Sequence, residues 1–356
     1  VYRYIPVFRK YFHSIFTKLF NDGIIRWEMR SSFDTLYDET GQFKSKFDTI
    51  QIILDELEKW KQEDYEKRSI FSLGLVTQGF RASEPSVIID DLITAYQLRD
   101  KFPNHIVGFD LVGQEDPGET LLYWSPYLIN ITNTMPKPEM TFFFHAGESN
   151  QLNVQENLVD AVYLNTTRIG HGFGIPEFPG LWPLISQKGI LIEANPISNQ
   201  VLGLIKDQRN HPVGDMLRHS IHNVLSNKIA DIIHSNSNFN SNFNSEINQY
   251  SPHWEQILEL HPNLKHYLQN RIGLPSLAVS INNDDPGMWG IDAIVSFDWY
   301  VAVVAWNLSL AGIKQLAIDS IVHSGASIEE KGKLLLAWFK SWDEWIDTVA
   351  NMQSNN

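Results

Sequence analysis

Four short stretches of the chain combine residue types that could do chemistry. Phe142-Phe143-Phe144-His145-Ala146-Gly147-Glu148 puts a histidine at the tip of an apolar run and a carboxylate three residues later. Arg168-Ile169-Gly170-His171-Gly172 ends a second run on a histidine flanked by glycines, which let backbone or ligand approach closely. Glu193-Ala194-Asn195-Pro196-Ile197-Ser198-Asn199 breaks a third run at a proline, and Ser280-Ile281-Asn282-Asn283-Asp284-Asp285-Pro286 closes a fourth on adjacent aspartates. Singly, each has a plainer reading as a structural histidine, a turn or a helix cap. Together, two histidines, a glutamate and paired aspartates are the inventory of a hydrolytic metal site, with nitrogen and oxygen ligands, an activated water, and separate acid and base groups. The glycine spacing around His171 does not fit a dinucleotide-binding fingerprint.

Composition narrows the choice. The 356 residues include no cysteine, which excludes a thiolate nucleophile, a redox pair and Cys-ligated zinc. The 42 Asp and Glu against 28 Lys and Arg give a net charge of −14, with no basic stripe to displace counterions from a phosphate backbone. Nucleic acid is therefore not an expected partner. No stretch approaches about 18 uninterrupted apolar residues, so no membrane span is expected. The opening Val-Tyr-Arg-Tyr-Ile-Pro is neither a methionine start nor a signal peptide, and implies a mature protein or a fragment. Sequons at Asn130, Asn165 and Asn307 permit glycosylation in a secretory context.

The elements that must position these motifs alternate along the chain. Apolar runs predict strands at 24–30, 70–77, 106–112, 140–145, 167–171, 189–194 and 276–282, with helical patterns at 45–64, 86–101, 153–164, 176–188 and 292–306. An opening helix carries a stripe of Val7, Phe8, Tyr11, Phe12, Ile15, Phe16, Leu19 and Phe20, and stops at Gly23. Such alternation predicts one α/β domain over 1–356, a parallel sheet wrapped by helices and close in count to a (β/α)8 barrel. The four motifs stand at carboxyl ends of strands, where such barrels build their active sites. The spacing breaks between Arg218 and Pro275. There, 219–275 reads as a surface insertion with an Asn/Ser-rich run too polar to order itself by burial. Seven of the twelve histidines lie from His211 to His266, but no carboxylate or strand end frames His219 and His222, and no metal is expected there. A capping box, Ser327 with Glu330, opens the last helix, whose Leu335, Trp338, Phe339, Trp342, Trp345 and Ile346 read as a core-facing stripe.

With these residues in view, His145-Ala-Gly-Glu148, Arg168-Ile-Gly-His171-Gly and Asn283-Asp284-Asp285-Pro286 resemble the signature motifs of the adenosine deaminase family, metal-dependent (β/α)8 amidohydrolases. Phe109-Asp110-Leu111-Val112-Gly113-Gln114-Glu115 resembles the family's fourth-strand motif. The longer phrases Asn165–Phe173, Asn195–Leu202 and Asp284–Met288 resemble its secreted growth-factor-related branch. The resemblance implies zinc held by His145 and Asp284, and Glu148 as the acid that protonates purine N1. It implies that His171 orients and helps deprotonate the attacking water, that Asp285 contacts that water and purine N7, and that the Gly113 amide contacts N3. The implied reaction is deamination of adenosine or 2′-deoxyadenosine, a purine nucleoside, by an extracellular protein that can form a homodimer. A carboxyl group that donates a proton at neutral pH needs an apolar, closed site to raise its pKa.

One element of the family pattern is missing. The family supplies two further zinc ligands from a His-x-His on its first strand, and this sequence contains no His-x-His. Its first strand matches the family's second, so seven strands of eight are expected. Two protein ligands are too few for a catalytic zinc, and weak zinc binding is the expectation for the chain as given. A fragment of a longer enzyme, a pseudoenzyme with a binding or growth-factor role, and a deaminase of another aminopurine all accommodate this departure.

Overall fold

The computed structural model of the chain describes residues 2–214, 216–217, 277–290 and 294–354. Helix α1 (Ile5–Asn21) has a proline in its first turn and buries Phe8, Phe12, Phe16 and Leu19, while Val7 and Tyr11 at the margin of the expected stripe stay exposed. It ends where Gly23 adopts φ +85°, a left-handed conformation natural to glycine, and the Gly23 and Ile24 amides turn back to the Phe20 and Leu19 carbonyls.

Among the described residues seven strands follow: β1 (Arg26–Ser31), β2 (Ser72–Phe80), β3 (Ile106–Val112), β4 (His145–Ala146), β5 (Arg168–His171), β6 (Leu191–Ala194) and β7 (Ala278–Ile281). All pairings are parallel and in chain order, β1-β2-β3 and β4-β5-β6-β7, and the two runs meet at the parallel bridge Phe109–Phe142. Helices α2 (Lys46–Gln62), α3 (Pro85–Lys101), α4 (Leu121–Thr134), α5 (Asn157–Tyr163), α6 (Trp182–Lys188) and α7 (Pro196–Val201) alternate with the strands. α8 (Ser296–Trp306), α9 (Leu310–Val322) and α10 (Ile328–Ser354) come after β7. A full capping box fixes the start of α2: Ser45 Oγ accepts from the Asp48 amide and the Asp48 carboxylate accepts from the Ser45 amide.

The sheet is curled. In a flat sheet β1 and β6 would stand about 24 Å apart, five strand spacings, yet Arg30 Nη2 on β1 lies 2.6 Å from Glu193 Oε2 on β6. Only a barrel brings these strands face to face, as the alternation predicted. No strand pairs with the outer edges of β1 and β7 among the described residues. Asp22, just after α1, accepts from the Val295 and Ser296 amides at 2.7 and 3.1 Å and ties the two ends together.

Apolar packing lies outside the strands. Phe16, Trp60 and Phe71 anchor one cluster under α1 and α2, and Trp124, Phe144, Leu158 and Ile192 belong to the large one around β3–β7. The barrel interior is instead charged: Arg26, Glu28 and Arg30 alternate along β1 and meet Asp110, Arg168 and Glu193. Arg168 pairs with Glu28 and, at 2.6 Å, with Glu193, and its guanidinium lies 3.7 Å over the Phe143 ring. Buried charge is tolerated only when paired in this way. Burial alone would raise the Glu28 carboxyl, but the Arg168 and Arg26 guanidiniums hold it at about 2.

Several expectations are corrected. The run 140–145 joins β3 through the Phe109–Phe142 bridge but forms a continuous ladder only from His145, and the pattern at 153–164 divides into a turn, Leu152–Gln155, and α5. The pattern at 176–188 yields a 3-10 turn, Ile175–Glu177, before the shorter α6. Ser327 Oγ does accept from the Glu330 amide, but the Glu330 carboxylate accepts from Arg26 at 3.0 Å. The last stripe faces the core only in its first half: Leu335 and Phe339 are buried, whereas Trp345 is 46% exposed. The insertion 219–275, with His219 and His222, lies outside the described residues. No helix among the described residues is long and apolar enough to cross a membrane.

Candidate active site and metal-ligand cluster

The carboxyl ends of β3 to β7 converge on one mouth. β3 delivers Asp110, fully buried, whose Oδ2 lies 2.6 Å from His145 Nδ1 and whose Oδ1 accepts from the His145 amide at 3.0 Å. The His145 ring therefore donates from Nδ1 and is left with Nε2 for the mouth, the arrangement in which a carboxylate orients a metal-binding histidine. Arg30 donates to the same Asp110 oxygen at 2.7 Å, and buried Arg81 donates to the His145 carbonyl. A Cβ at Gly170 would stand 3.1 Å from His145 Cγ, so glycine there gives the histidine its room.

The loop after β4 carries Glu148. Buried Glu115 accepts from the amides of Gly147 (3.0 Å) and Glu148 (2.6 Å) and from Asn157 Nδ2 (2.7 Å), fixing the loop from below. The Glu148 side chain is 13% exposed. Burial raises its pKa against the lowering influence of His171 and His145.

His171 ends β5 with φ +62°, and Asp284 follows β7 with φ +52°. Left-handed conformations at two non-glycine residues of one mouth are the kind of local strain that clusters at functional sites. His171 Nε2 stands 3.1 Å from Glu148 Oε1 and 3.6 Å from Asp284 Oδ2. It is out of line for a hydrogen bond, so this buried atom has no hydrogen-bond partner. Asp284 Oδ2 accepts from Ser198 Oγ at 2.7 Å. Burial would raise the Asp284 carboxyl, but His171 and His145 hold it below its usual value. Asn199, one residue after Ser198 on α7, lies between His171 Nδ1 (2.8 Å) and His211 Nε2 (3.0 Å). The α7 start is pinned by Asp298 of α8, whose Oδ1 accepts from the Ile197 amide at 3.0 Å.

Sequence-expected site residues are thus brought together in four cases. His145, Glu148 and His171 each offer one ligand atom within 4.8 Å of the others, and Asp284 adjoins His171. Asp285 is exposed at the rim. Its carboxyl is raised by partial burial and by Asp284, and it remains within electrostatic reach of His145 and His171. Gly113, at φ +101°, turns the chain after β3, and a Cβ there would meet only Phe80, at 3.7 Å. Sequence reasoning assigned no role to the supports: Asp110, Glu115 and Asn199 within its motifs, then Arg81 and His211. Inward alternation along β3 marks Asp110; the others depend on tertiary contacts. Nitrogen and carboxylate donors, and a histidine oriented by the buried Asp110 carboxylate, fit a borderline divalent metal.

A family model for adenosine deaminase matches residues 80–263, more than half of the chain. The chain is 31% identical over 355 residues to adenosine deaminase 2 of Dictyostelium discoideum, covering 99% of this chain and 54% of that protein. The chain spans about half the length of the curated relatives it matches. Among solved structures, the apo N6-methyl-AMP deaminase of Arabidopsis thaliana superposes with TM-score 0.60 at 18% identity, over 94% of this chain and 80% of that one. A Burkholderia ambifaria amidohydrolase with bound Zn superposes with TM-score 0.61 at 14% identity, over 98% and 76%. At these identities the superpositions establish a shared α/β barrel fold. The sequence match establishes more: this chain belongs to the adenosine deaminase family.

Proposed function

We propose that the whole protein deaminates adenosine and 2′-deoxyadenosine by zinc-dependent hydrolysis, with His145 and Asp284 among its metal ligands. The observation that carries this reading is the buried Glu148, its pKa raised, set beside His145, His171 and Asp284. A zinc ion held there supplies a Lewis acid that brings the pKa of water from about 15.7 towards 7. Glu148, its pKa raised by burial, would give a proton to purine N1 while water adds at C6 and passes a proton to the amino group; the C6–N bond then breaks, ammonia leaves, and the proton of the hydroxyl left on C6 restores Glu148. His171 orients the attacking oxygen, Asp285 contacts it and purine N7, and the Gly113 amide faces N3. An extracellular location and a homodimer are proposed on the branch resemblance.

Replacing Glu148 by Gln in the whole protein is expected to retain metal and to lower kcat by about a hundred- to ten-thousandfold. Near-normal turnover of that variant would remove Glu148 from the acid role. For the 356-residue chain we expect sub-stoichiometric zinc and little turnover. One zinc per chain together with rapid adenosine hydrolysis would contradict that expectation.

A further inference from the structure

We infer that Asn199 and His211 are positioning residues that set the proton on His171, so that its ring presents an N–H rather than a lone pair to the mouth. The catalytic consequence rests on the deaminase reading, while the proton placement rests on geometry alone.

His171, Asn199 and His211 are each fully buried. The His211 ring is held between Phe173, edge-on at 5.6 Å, and Trp306 at 5.1 Å, and Trp306 is itself fixed by donating Nε1–H to the Gln208 carbonyl at 3.0 Å. The Val213 amide points at His211 Nδ1 from 3.2 Å. A backbone N–H can only donate, so Nδ1 of His211 must offer its lone pair and the ring proton must sit on Nε2. A charged ring fails the same test, since it would set a second proton against Val213.

His211 Nε2–H then faces the Asn199 amide. The orientation with Oδ1 2.8 Å from His171 Nδ1 and Nδ2 3.0 Å from His211 Nε2 sets donor against donor at His211. A half-turn of the amide exchanges oxygen and nitrogen within the same outline. Oδ1 now accepts from His211, and the NH2 donates to His171 Nδ1. His171 keeps its proton on Nε2, the buried atom without a hydrogen-bond partner, directed between Glu148 and Asp284. In that state His171 orients an attacking oxygen by donating to its lone pair and cannot receive its proton, a task left to a carboxylate.

The test is a two-bond proton–nitrogen correlation spectrum of the histidine rings in the metal-free, 15N-labelled 356-residue protein at mildly alkaline pH. His171→Asn and His211→Gln provide the assignments. Wild-type His171 and His211 are both expected as Nε2–H tautomers. In Asn199→Asp the carboxylate accepts from both rings, so His171 is expected to switch to Nδ1–H while His211 stays unchanged. A wild-type His171 found as Nδ1–H, or doubly protonated, would overturn the inference, as would an Asn199→Asp spectrum with His171 unmoved. Should that variant fail to fold, the wild-type spectrum decides. Neither readout needs turnover or metal, so failure of the deaminase reading leaves this result standing, and the converse holds too.

Discussion

Two charged regions share one barrel and differ in how their charges are satisfied. In the interior, Arg26, Glu28, Arg168, Glu193, Arg30 and Asp110 form an alternating chain in which each acid touches a base. At the mouth, Glu148 and Asp284 crowd around His171 Nε2, which has no hydrogen-bond partner, and burial raises Glu148. The first arrangement neutralises itself and contributes rigidity. The second is held in a poor electrostatic state by surrounding structure, which is what a site for chemistry requires. Asp110 belongs to both, accepting from Arg30 below and from His145 above.

The comparison can be broken from either side. The largest stability effect belongs in the interior: Glu28→Gln removes the anion that buried Arg168 and Arg26 share and leaves one positive charge in excess there, with Arg168 on Glu193 alone and Arg26 on Glu330, and about 3–5 kcal/mol of unfolding free energy is expected to be lost, read by denaturant titration. A loss below about 1 kcal/mol would show that the interior charges are not mutually dependent. Next, Asp110→Asn keeps the shape but loosens His145, and metal affinity is expected to fall about 10- to 100-fold in a competitive chelator titration. An unchanged affinity would detach Asp110 from the metal site.

Acid sharpens the interior side. Glu28 is held at about 2 in the folded protein against an ordinary 4.5. Its depressed pKa contributes stability that is present above about 4.5 and lost as pH falls towards 2. The wild type should lose stability across that window more steeply than Glu28→Gln; parallel curves would contradict the assignment. An effect of opposite sign concerns Asp298, raised to about 7 by burial and by Asp284. Its raised pKa makes ionisation a cost that grows as pH rises from about 4 through 7. Asp298→Asn, which keeps an acceptor for the Ile197 amide, should match wild type at pH 4 and gain on it as pH rises through 7; parallel curves would contradict the assignment.

The mouth was legible in the sequence because its chemistry sits on strand tips. Apolar runs ending at His145, His171 and Asp284 expose both the element and the residue it delivers. The interior was not legible. Arg26, Glu28 and Arg30 alternate with Trp27 and Met29, which separates two faces without telling which one lines the barrel. The aromatic spacing of α10 reads the same before and after Phe339, although the core ends there and Trp345 stands in solvent. Glu115, Asn199 and His211 act through partners tens of residues away, so spacing carries no trace of them.

The division of labour is tested most directly by measuring the unfolding free energy of Glu148→Gln beside wild type, without metal. Removing a crowded, buried carboxylate that supports no ion-pair chain should leave stability unchanged within about 0.5 kcal/mol or raise it. A loss of about 3–5 kcal/mol, matching the interior variant, would mean that Glu148 is part of the structural network and that the mouth is no different from the core beneath it.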